Sequence, residues 1–104
     1  MPTKCKLVYL RPASEDFQEI VKYHINEVGT QSARKIYKTM RDTINKLSEF
    51  PLMGQIHPDP MLAADNYRKL VLTQTYVAIY KVENGIVYIY RIVNGETDYP
   101  RLLK

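Results

Sequence analysis

The chain has no tryptophan, a single cysteine and only four glycines, and no apolar run near the roughly 20 residues of a membrane-spanning helix. Each lack excludes something. With only Cys5 there is no internal disulfide; at the edge of the first apolar run it reads as a small buried hydrophobe in a reducing compartment rather than as a nucleophile. His24 and His57 have no second thiol beside them and no zinc-like spacing, so neither a structural metal nor a cofactor is expected. Repeats and low-complexity tracts are absent, and 45% hydrophobic with 25% charged residues argues against a disordered chain. Nothing near Met1-Pro2-Thr3-Lys4 resembles an apolar leader, so a cytoplasmic protein without membrane contact is predicted.

What is present fits one domain over residues 1–104, large enough for a single core. Fifteen basic against eleven acidic residues leave a net charge of +4, which suits an acidic protein or a nucleic acid without selecting either.

Lys6-Leu7-Val8-Tyr9-Leu10 reads as a short strand that stops at Arg11-Pro12, where proline removes a ladder donor and sets φ for a helix start. From Ser14, with Glu15 and Asp16 near the positive end of the dipole, Phe17, Ile20, Val21, His24 and Val28 follow one helical face, and Gly29 closes the helix. Thr30 is the expected N-cap of a second helix with Ala33, Ile36, Tyr37, Met40, Ile44 and Leu47 inward. Its other side carries Arg34, Lys35, Lys38, Arg41 and Lys46, a stripe that reads first as a solvated face and second as a nucleic-acid contact. Phe50-Pro51-Leu52-Met53-Gly54 breaks the helix, and a loop of about a dozen residues containing His57-Pro58-Asp59-Pro60 is predicted beyond it.

Three strands follow, Tyr67–Leu72, Tyr76–Val82 and Ile86–Val93, with turns at Thr73-Gln74-Thr75 and at Glu83-Asn84-Gly85, where Asn-Gly supplies positive φ values. The reading is an α+β fold of order β-α-α-β-β-β, a helical hairpin on a twisted antiparallel sheet. The last two strands are apolar at nearly every position, so both faces of the sheet need cover. Two helices cover one face. The expectation is that Val77, Ile79, Val87 and Ile89, or their neighbours of the other parity, form an open apolar patch for a protein partner or a second copy of the chain.

This order resembles the toxins of type II toxin–antitoxin modules in the RelE/ParE superfamily, also called plasmid stabilisation proteins. The resemblance is carried by Pro12 with Ile20 and Tyr23, by Phe50-Pro51-x-x-Gly54, by Tyr67-Arg68-x-Leu70, by Tyr76 through Tyr80, and by Arg91-Ile92-Val93 with Asp98-Tyr99 and Leu102-Leu103. It implies growth arrest and silencing by a cognate antitoxin protein. RelE-like members cleave messenger RNA on the ribosome, whereas ParE-like members poison DNA gyrase.

Metal-free RNA cleavage needs a base, an acid and cations against the phosphorane-like charge. At the positions implied by the resemblance this chain has Arg68 and Tyr99 as catalytic candidates, but also Val77, which cannot stabilise an anion, and Glu96 and Asp98, which repel phosphate. Lys69, Arg91, His57 and Arg101 are the cations from which a patch would have to be rebuilt. The ParE-like branch is therefore preferred, with gyrase as the favoured target; the ribosome with its mRNA is the alternative, and an inactive module that only binds antitoxin is the second.

Arg68, Lys69, Val77, Ile79, Arg91, Tyr99 and Arg101 are the expected contacts for target or antitoxin. Arg91 interrupts an apolar strand and must find a carboxylate, Asp98 or Glu96, or solvent. Tyr99, in the tail rather than in a strand, is the tyrosine expected to act as an interface anchor, and His57 reads as an incidental turn residue rather than a general base.

Overall fold

A computed structural model describes residues 4–103. Its centre is the hairpin of β4 (Tyr76–Glu83) and β5 (Ile86–Asn94). Asn84 and Gly85 link the two strands at φ 52° and 75°, the backbone that lets a two-residue turn follow the strands' twist. β3 (Arg68–Val71) pairs antiparallel with β4, and β2 (Gln55–Ile56) pairs antiparallel with β3. β1 (Lys6–Tyr9) lies parallel to β5, giving the order β1-β5-β4-β3-β2. The antiparallel expectation thus holds for β2 to β5, and β1 makes the sheet mixed. A parallel pairing needs a long crossover, which the intervening helices provide.

α1 (Arg11–Glu27) starts with Pro12 in its first turn, ahead of Ser14. At its end the N–H groups of Val28 and Gly29 both donate to His24 O, and Gly29 sits at φ 130°. Gly29, not Thr30, is the N-cap of α2 (Thr30–Asn45). Ala33, Met40 and Ile44 are buried as expected, and Leu47 follows them in a 3₁₀ turn, Lys46–Ser48. Tyr37, expected inward, is 44% exposed. None of these helices is long and apolar enough to cross a membrane.

The helical hairpin buries the face of β4 that carries Ala78 and Tyr80 and the face of β5 that carries Val87, Ile89 and Ile92. Val87 and Ile92 differ in parity, and a bulge reconciles them. Ile79 lies opposite Arg91 while Tyr80 lies opposite Ile89, so Tyr90 is the extra residue that shifts the alternation.

The other face is closed from within the chain. The predicted loop after Gly54 contains β2 and α3 (Pro60–Ala64), whose N-cap Asp59 accepts from the N–H groups of Met61 and Leu62. Leu62 from α3 and Tyr99 from a C-terminal 3₁₀ turn, Tyr99–Leu103, form a second core with Tyr67, Val77, Ile79 and Val93. The expected open patch is therefore not open. Val77 and Ile79 are 5% and 0% exposed because α3 and Tyr99 supply the missing layer, while Val87 and Ile89, both 0% exposed, lie on the other face under the helical hairpin.

Candidate functional site

Arg68 leaves β3 on the helix-bearing face, its Cα opposite that of Tyr80. Its Nη1 donates to Gly54 O at 2.8 Å. The fully buried Tyr80 donates from its hydroxyl to Pro51 O at 2.8 Å and accepts from Gly54 N at 3.0 Å. The Phe50–Gly54 break is thus held to the sheet by two side chains. Burial raises the Tyr80 phenol pKa, against the lowering effects of the Gly54 hydrogen bond and the Arg68 charge.

Tyr99 and His57 meet on the other face. His57 is 4% exposed and Tyr99 5%, and His57 Nε2 stands 2.7 Å from the Tyr99 hydroxyl. Asp59 N–H donates to Nδ1 at 2.9 Å, so Nδ1 is the acceptor and Nε2 carries the hydrogen donated to Tyr99. Burial lowers the His57 pKa, and the Lys69 charge lowers it further against Asp59. Burial likewise raises the Tyr99 phenol pKa, and Asp59 adds to it. Tyr99 does lie in the tail rather than in a strand, but with its ring buried, and the expectation for His57 is corrected: it is a buried partner rather than an incidental turn residue. The pairing of β2 with β3, which places His57 N–H against Tyr67 O, and the C-terminal turn that carries Tyr99 together bring the two side chains into contact.

The two catalytic candidates are not brought together. Arg68 belongs to the helix-bearing face and Tyr99 to the second core. Lys69 is half-buried opposite Ile79, and Arg101 is exposed and paired with Asp98 at 3.2 Å.

Arg91 pairs with neither Asp98 nor Glu96. Its Nε and Nη2 donate to both oxygens of Asp16 at 2.7 and 2.8 Å, and Asp16 also accepts from Ile92 N at 3.0 Å. β1 stops pairing at Tyr9 opposite Ile89, and the α1 carboxylate takes over beyond that point as the partner of the β5 edge. The Asp16 hydrogen bonds raise the already high Arg91 pKa. Asp16 was legible only as a favourable charge near a helix start, since its partner lies 75 positions away.

Two of the open surface features bear on binding. A groove of about 300 Å³ between α1 and α2 is lined by Val21, Ile25, Thr30, Ala33, Arg34 and Tyr37. Beside it Arg34, Lys35, Lys38 and Arg41 are exposed, and of these only Lys38 has an ion pair among the described residues, with Asp42. The second feature is a cleft against β2 and β3 that includes Arg68.

The family model described as the ParE toxin of the type II toxin-antitoxin system parDE matches residues 7–99. No curated protein sequence matches the chain. The chromosomal ParDE toxin–antitoxin system from P. aeruginosa superposes with a TM-score of 0.77 at 20% identity, over 91% of this chain and 100% of the other. The YoeB dimer from Staphylococcus aureus gives 0.61 at 12% identity over 90% and 99% of the two chains. A YoeB/ParE toxin from Agrobacterium tumefaciens gives 0.56 at 15% identity over 86% and 96%. At such identities the structures speak for the fold alone, and the family match speaks for membership: the chain belongs to the ParE toxin family of type II toxin–antitoxin systems.

Proposed function

We propose that this protein arrests growth by binding a large cellular target, DNA gyrase, and that a cognate antitoxin neutralises it. The observation that carries this reading over RNA cleavage is the separation of the two catalytic candidates onto opposite faces of the sheet. Tyr99 is buried against His57, and Arg68 is bonded to the Gly54 carbonyl on the opposite face. Two candidates held on opposite faces of the sheet cannot flank one phosphodiester. The α1–α2 groove supports the antitoxin half: an apolar channel beside exposed basic side chains suits an amphipathic acidic helix.

Controlled expression in a bacterial host tests the target, with growth, transcript integrity and DNA breakage followed together. Arrest with broken DNA and intact transcripts is the expected result. Arrest with cleaved transcripts would return the ribosome-directed alternative, and unimpaired growth with soluble protein would leave an antitoxin-binding module.

A further inference from the structure

Arg68 is half-buried, and its one hydrogen bond is to a neutral carbonyl; among the described residues no carboxylate reaches it. A guanidinium in that position has donors to spare and an uncompensated charge beside apolar surface. It borders a cleft of about 220 Å³ whose other walls are Leu52, Ile56, Ala63, Asn66 and Val82. The cleft adjoins an open sheet edge. His57 N–H bonds to Tyr67 O across the Ile56–Arg68 pair, so Ile56 is in a non-hydrogen-bonded pair and its own N–H and C=O point away from β3. β2 is the last strand on that side, and Leu52 and Ile56 are 62% and 59% exposed there.

We propose that the Arg68 cleft and the β2 edge form a docking site for an extended segment of a partner protein bearing one carboxylate between apolar side chains. The segment adds to the edge at Ile56, its carboxylate meets the Arg68 fork, and its flanking side chains cover Leu52, Ile56 and Val82. A lone carboxylate fits better than a phosphodiester chain, because exposed Asp65 and Glu83 adjoin the lining residues Asn66 and Val82 and repel a polyanion. The inference rests on the reading of the chain as a protein-binding toxin and supplies it with a second contact surface, apart from the α1–α2 groove.

The test is an NMR titration of the purified chain with the peptide acetyl-Thr-Val-Glu-Val-Thr-amide, its Gln analogue and a short oligouridylate. The Glu peptide is expected to shift the amide signals of Gln55 and Ile56 and the Arg68 Nε signal, and the Gln analogue to bind about tenfold more weakly. Arg68→Lys keeps the charge without the fork and should weaken binding. Val82→Glu places a competing carboxylate in the wall and should abolish it. Equal binding of both peptides, shifts elsewhere than the β2 edge, or preferential binding of the oligouridylate overturns the proposal. The titration does not depend on toxicity, so a chain that binds the peptide yet leaves growth intact would overturn only the growth-arrest reading.

Discussion

Gly54 has no room for a side chain. A Cβ there would stand 2.7 Å from the Tyr80 hydroxyl and 2.8 Å from the Lys69 carbonyl, a buried ring and a strand backbone that cannot move aside. Gly54→Ala should therefore lower stability by about 2 kcal/mol, read as a fall in the thermal midpoint. Sequence alone gave Gly54 a turn role; the close approach to Tyr80, 26 positions away, became visible only in the fold. His57 carries a pH prediction of definite sign. Its pKa in the fold lies below the ordinary value of 6.5, so the unfolded chain takes up the proton first as pH falls. The His57–Tyr99 contribution is complete above 6.5 and is lost as pH falls from there towards the lowered folded value. In thermal melts, His57→Gln should cost most at pH 7.5 and clearly less at pH 5; an equal cost at both would show that the imidazole does not titrate against the fold.

Among the elements, α1 does more than cover the sheet. Its Asp16 closes the β5 edge where β1 ends, receiving both Arg91 donors and the Ile92 N–H. The two side chains retain 16% and 25% exposure, so the pair is partly screened. Asp16→Asn leaves Arg91 and Ile92 N–H poorly satisfied, with an expected loss of about 1–3 kcal/mol. Amide exchange should quicken at Ile92 more than at Val87, which lies within the part of β5 paired with β1. The long elements were legible because their periods span many residues: α1, α2, β4 and β5 fall within a few residues of their predicted bounds. α3 and β2 were not, since five residues and two carry no period. Their formation depends on the Asp59 cap and on pairing with β3, and both read in the sequence as loop chemistry.

At the scale of the whole molecule the basic side of α2 and the α1–α2 groove form one surface. Arg34→Glu with Lys38→Glu should leave the thermal midpoint nearly unchanged, within about 0.5 kcal/mol, since both side chains are exposed. The same pair should weaken the complex with the cognate antitoxin and reduce its dependence on salt, measured by calorimetry at two ionic strengths. Unaltered affinity would remove the groove from the antitoxin interface. The sequence by itself determined the element types, the helical hairpin, the antiparallel meander and the demand for cover on both sheet faces, because each follows from local periodicity and turn chemistry. The tertiary structure decided what answers that demand. Leu62, Tyr67 and Tyr99 close the second face and His57 is drawn in with them; Arg91 is paired to Asp16, while among the described residues Arg68 is left without a carboxylate. Those outcomes depend on which distant residues the β2 edge, the bulge at Tyr90 and the parallel β1 bring within bonding distance, and no local pattern encodes a partner dozens of positions away.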